Sequence, residues 1–100
     1  MAYNLIFKEG ARLDMLDAYH YYEQQQPGLG ERFLSSLEER LAVISEHPEY
    51  YSFIDPKEVL RDVTINNFPY VIVYALINQE VRIYAIHLTH KRPQSKHRII

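Results

Sequence analysis

The chain has 100 residues and a mass of 11.9 kDa; 47% of its residues are hydrophobic and 24% charged, which suits one modest core and excludes the intrinsically disordered class. It has no cysteine, so disulfides, thiol nucleophiles and thiolate metal sites are excluded. The formal net charge of −2 hides a segregation: residues 81–100 carry Arg82, Lys91, Arg92, Lys96 and Arg98 with no acid, while the other eighty carry six basic and thirteen acidic side chains.

Read in chain order, Tyr3 to Phe7 is short, apolar and rich in strand formers, and predicts a first strand with Gly10 at the turn out of it. From Ala11 the spacing changes to that of a helix face, with Ala11, Met15, Tyr19 and Tyr22 recurring at three or four. Gln26-Pro27-Gly28 stops this helix, because proline lacks a backbone donor and restricts the residue before it. After a turn at Pro27 to Gly30, Phe33, Leu37, Leu41 and Ile44 form the stripe of a second helix that ends near His47-Pro48. The short connection predicts an antiparallel helical hairpin, since neither stripe is stable in water alone.

The remainder reads as strands. Val59, Arg61, Val63 and Ile65 form a period-two set, broken at Asn66-Asn67. Tyr70 to Ile77 and much of Val81 to Leu88 are apolar on both alternating faces, as expected inside a sheet, and Asn78-Gln79 joins them as a hairpin. The expected fold class is α+β, ordered β-α-α-β-β-β, with an antiparallel-dominated sheet packed by the N-terminal helical hairpin. One domain over residues 1–100 is expected. The longest apolar run, Val71 to Ile77, is too short to cross a bilayer, and the start lacks the segments of a signal peptide; no membrane contact and a cytoplasmic location are the expectation.

No nucleotide-binding loop or helical zinc motif is present, and no cofactor is expected. His87, His90 and His97 are available as metal ligands but have no carboxylate after Glu80 to support them; separate structural or surface roles suit them better. The C-terminal cations suit phosphate, which arginine grips through two donors, and equally suit a solvated tail. A metal-free ribonuclease also needs a proton donor and acceptor, a role open to His87 or His90. Nine tyrosines are read mainly as core fillers that keep their hydroxyls wet; Tyr84 alone lies near the basic end for base stacking.

Several segments, in their order and spacing, carry a family likeness. They are the first strand, Ala11 to Tyr22, Gly30-Glu31-Arg32-Phe33, Leu41, Pro48, Leu60-Arg61, Asn67 to Tyr74, Val81 to Ile86 and Thr89 to Pro93. Together they resemble the RelE/ParE toxin superfamily, also described as plasmid-stabilisation toxins, over nearly the whole chain. The resemblance implies the toxin of a type II toxin–antitoxin system, held inactive by a cognate antitoxin that wraps its surface with an extended or helical segment. RelE-like members cleave messenger RNA on the ribosome as mRNA interferases, whereas ParE-like members inhibit DNA gyrase.

Residue by residue, the likeness favours ParE-like members. RelE-type ribonucleases place lysines on the strand where this chain has Arg61, Asp62 and Thr64. They place arginine after the tyrosine, where Val71 follows Tyr70. Arg92 matches a basic family position beside Lys91, but the later tyrosine position falls near Arg98. Many relatives have histidine before threonine; here Leu88 precedes Thr89 and His90 follows it. The implied function is therefore gyrase inhibition, with Arg61, Lys91, Arg92 and Arg98 as target-binding residues. The alternative is a metal-independent endoribonuclease acting on ribosome-bound mRNA, with Arg61, His90 and Arg92 as catalytic residues. A third reading is a non-toxic antitoxin-binding or structural domain.

Overall fold

A computed structural model describes residues 2–89. Its elements run β1 (Asn4–Phe7), α1 (Glu9–Gln25), α2 (Leu29–Glu46), a single 3₁₀ turn at Pro48–Tyr50, β2 (Leu60–Thr64), β3 (Tyr70–Ile77) and β4 (Glu80–Leu88). The four strands form one sheet in the order β1-β4-β3-β2. β2, β3 and β4 are mutually antiparallel, while β1 lies parallel to β4, Asn4 opposite Glu80 through Phe7 opposite Ile83. The expected α+β architecture and element order are those observed.

The helices differ from the sequence reading at their starts. Gly10 lies inside α1, because Lys8 alone connects β1 to the helix. The Lys8 N–H donates to the Ile83 carbonyl and its carbonyl accepts from Arg12, so the chain passes from ladder to helix at one residue. Likewise α2 begins at Leu29 and buries Gly30, which the sequence reading placed in the turn. Gly28 supplies the left-handed backbone that turns the chain, at φ 90°. The Glu23 carboxylate then accepts the N–H groups of Gly28 (2.9 Å) and Gly30 (3.0 Å), satisfying donors that a helix start leaves open.

The core lies between the hairpin and one face of the sheet. Phe33, Leu37 and Ile44 of α2 and Ala11 and Ala18 of α1 meet Ile72, Tyr74, Val81, Ile83 and Ile86. Each large apolar side chain removed from water contributes about 1.5–3 kcal/mol. Phe33 anchors the aromatic end, with Tyr22 stacked on it and Phe68 and Tyr70 edge-on, centroids 5.3–5.7 Å away. Tyr22 and Tyr70 thus fill core, as expected; Tyr74 does so with its hydroxyl buried as well, donating to the Pro48 carbonyl at 2.7 Å.

β4 carries one irregularity. Val73 faces Ala85 and Tyr74 faces Ile83, leaving Tyr84 as an extra residue. The bulge keeps Ile83 and Ile86 both on the core side despite their odd separation. Beyond Ile83, β1 has ended, and the Ile86 N–H is taken by the Asp14 carboxylate of α1 at 3.0 Å.

Candidate functional site

Of the candidate site residues, Arg61 and His87 lie among the described residues; His90, Lys91, Arg92 and Arg98 lie outside them. Strand alternation puts Arg61 on the same face as Val63 and Tyr74, the face that carries the helices. Its guanidinium reaches the segment that leaves α2. Nη1 donates to the carbonyl of Tyr51 at 2.6 Å and to that of Glu49 at 3.3 Å. The group lies over the Phe53 ring, 3.8 Å from its centroid, and Nε is buried without a hydrogen-bond partner. A cation stacked on a ring gains electrostatic stabilisation that offsets part of that missing bond.

A second arginine, not singled out by sequence, completes this girdle. Arg40 of α2 donates to the Tyr51 hydroxyl (3.1 Å) and to Asn66 Oδ1 (2.6 Å). Tyr51 is therefore held at both ends, by Arg61 at its carbonyl and by Arg40 at its hydroxyl. Asp55 fixes the next part of the loop by accepting the N–H groups of Val59 and Leu60, at 3.0 and 2.9 Å. Phe53 bridges to Arg61, and the Ile54 N–H donates to the Leu60 carbonyl. Sequence shows no signal for this arrangement, because Arg40 reads as one more charge on a solvated helix face.

The opposite face of the sheet presents a different chemistry. Alternation places Asp62 and Thr64 of β2, Val71 and Val73 of β3, and Ala85 and His87 of β4 there. His87 is exposed and lies opposite Val71, so the sheet separates it from Arg61. Arg82, toward the other end of β4, is paired with Glu80 at 3.0 Å, and that hydrogen bond raises its pKa above the ordinary arginine value. Among the described residues no group of three or more His, Asp or Glu side chains could hold a metal ion.

An apolar recess of about 430 Å³ opens where α1 and α2 meet β1. Phe7, Met15, Leu34, Leu37 and Leu41 line it, with Arg12 and Glu38 at its rim. The sequence reading puts Met15, Leu37 and Leu41 on the core-facing stripes of the helices and Phe7 at the end of the first strand. Phe7, Met15, Leu34 and Leu41 prove half-buried, which periodicity alone does not resolve. Among the described residues, no helix is long and apolar enough to cross a membrane.

Three comparisons bear on identity. No curated protein sequence matches the chain. Among solved structures, it is similar to a chain of the chromosomal ParDE toxin–antitoxin system from P. aeruginosa, at 14% identity and a TM-score of 0.77, over 89% of this chain and 98% of that one. It is also similar to the isolated E. coli RelE toxin, at 17% identity and a TM-score of 0.59 over 99% and 100% of the two chains. An E. coli RelE mutant in the free state gives 18% identity and a TM-score of 0.58 over the whole of both chains. At these identities the likeness is one of fold. The sequence profile of the ParE toxin of the type II toxin–antitoxin system parDE matches residues 5–94, and with it the chain belongs to the ParE toxin family, within the RelE/ParE superfamily.

Proposed function

We propose that the chain, as one domain over residues 1–100, acts on a protein target, DNA gyrase, in the manner of ParE-like toxins, and is held inactive by a cognate antitoxin. The observation that carries this reading is the chemistry of the sheet face opposite the helices. Where RelE-type ribonucleases place cations, this chain has Asp62, Thr64 and Val71, and its one arginine on β2, Arg61, is turned to the other face. A phosphodiester-cleaving site needs positive charge where charge develops on the phosphoryl group. Asp62 has the wrong sign for that work and Val71 has no charge. Family membership and the higher TM-score to the ParDE chain support the same branch.

The antitoxin's place, on this reading, is the recess between α1, α2 and β1. An amphipathic helix laid there would cover Met15, Leu34 and Leu41, which the fold leaves half in water. Lys91, Arg92 and Arg98 are proposed as target-binding residues, and Arg61, whose guanidinium is engaged by the Glu49 and Tyr51 carbonyls, as the residue that positions the neighbouring loop. The test is made in cells shortly after induction of the full chain. Trapped gyrase–DNA complexes without codon-phased cuts in translated messages are the expected result. Phased cuts without trapped gyrase would move the assignment to a ribosome-dependent ribonuclease using Arg61, His90 and Arg92. Neither effect, with the antitoxin still bound, would leave a non-toxic binding domain.

A further inference from the structure

Four of the eight large hydrophobic side chains exposed among the described residues fall within ten positions: Tyr50, Phe53, Ile54 and Val59, at 78, 39, 48 and 46% exposure. These side chains stand on a loop that is tied down. Arg61 holds the carbonyls of Glu49 and Tyr51, Asp55 caps the backbone at Val59 and Leu60, and Ile54 bonds back to Leu60. Exposed aromatic and aliphatic groups on a preorganised backbone suit protein recognition, because little ordering remains to oppose binding. We infer that the Tyr50–Val59 loop, at the β2 edge of the sheet, docks the toxin's protein target. It meets a patch of that target with an apolar centre and a basic rim, separate from the part of the target that the proposed contacts Lys91, Arg92 and Arg98 would meet. This rests on the reading of the chain as a toxin of a protein target.

Charge selects that occupant. Residues 46–60 contain Glu46, Glu49, Asp55 and Glu58 against Lys57. The guanidiniums of Arg40 and Arg61 also reach this loop but are turned inward onto Tyr51, Glu49 and Asn66, so the exposed charges of its rim are Glu46, Glu49 and Glu58 against Lys57. A phosphate backbone is repelled by such a rim. A second copy docked through the same loop would set two acidic rims against each other, so self-association is disfavoured too. The antitoxin recess is lined by Phe7 of β1, at the far edge of the sheet from β2, so the two surfaces are separate.

The test uses the full chain titrated against purified DNA gyrase holoenzyme, with antitoxin binding and thermal melting measured alongside. The Tyr50→Ser/Ile54→Asp double variant should raise the Kd for gyrase on the order of tenfold or more while both controls hold. Glu49→Lys should weaken binding in the same direction, and added salt should weaken wild-type binding. An unchanged Kd in the double variant overturns the inference, as does an equal loss of antitoxin affinity or a wild-type dimer that the double variant dissolves. If the wild type does not bind gyrase, the proposed target is wrong and the loop is judged by growth arrest. Arrest lost in the double variant, with the antitoxin complex intact, supports the loop against another target; arrest retained overturns it.

Discussion

Arg61 shows how one side chain can answer two questions differently. As a target contact it would present its charge outward; as a staple it spends that charge on the carbonyls of Glu49 and Tyr51 and on the Phe53 ring. The staple predicts a stability effect. Arg61→Ala should destabilise the fold by about 1.5–3 kcal/mol, the range for hydrogen bonds to charged groups, and should loosen residues 47–60 in hydrogen exchange. Arg61→Lys should recover little, since a point charge cannot both stack and reach two carbonyls. A variant that keeps its melting temperature and loses only target affinity would return Arg61 to a direct contact role. Tyr74, opposite Arg61 on β3, gives a second test. Burial pushes its phenol up to about 12. The fold thus favours the neutral hydroxyl, and the stability this confers is fully present below pH ~10 and lost as pH rises toward ~12. Urea unfolding at pH 8 and pH 11 should show a larger loss for wild type than for Tyr74→Phe. The variant should begin about 1 kcal/mol lower at pH 8, having left the Pro48 carbonyl unpaired. Parallel losses in the two proteins would remove Tyr74 as the titrating group.

At the scale of elements, the helical hairpin depends on a close approach at one glycine. A Cβ at Gly30 would sit 2.8 Å from both Glu23 Oε1 and the Tyr19 carbonyl oxygen, and 2.9 Å from the Tyr19 ring. The carboxylate can swing away, but the backbone carbonyl cannot. Gly30→Ala should therefore cost about 1–3 kcal/mol in thermal or urea unfolding, despite alanine's better helix propensity. Glu23→Gln keeps the space and weakens the cap on Gly28 and Gly30, so its cost should be smaller, about 0.5–1 kcal/mol. A stabilised Gly30→Ala would mean that α2 can move away from α1 without loss. The element order was legible in the sequence because each period belongs to one secondary structure: three or four in Phe33, Leu37, Leu41 and Ile44, two in Arg61, Val63 and Ile65. Gly10 and Gly30 were not, because glycine reads as a turn unless the neighbouring element's approach is known. The Tyr84 bulge and the parallel pairing of β1 were equally hidden, being properties of strand partners rather than of strands. The site was least legible of all: alternation assigns Arg61 a face, but only the path of residues 48–54 shows what it touches there.

Across the whole molecule, the two apolar surfaces lie at opposite edges of one sheet, and this arrangement has a functional consequence. The recess beside β1 and the loop beside β2 share no lining residue, so with the partners proposed above, affinity for the antitoxin and for the target should be separable by mutation. Met15 and Leu34 are the side chains through which to do so at the β1 end, being half-buried in the free chain and covered further once the recess is filled. Met15→Ala/Leu34→Ala should weaken antitoxin binding on the order of tenfold, measured by calorimetry with the full antitoxin, and leave affinity for the target unchanged. Some stability will also be lost, because both side chains already pack on the core; the binding comparison therefore belongs well below the variant's melting temperature. Antitoxin binding that survives this double truncation would place the partner elsewhere. A matched loss of target and antitoxin affinity would show instead that the sheet couples its two edges, so that filling one reshapes the other.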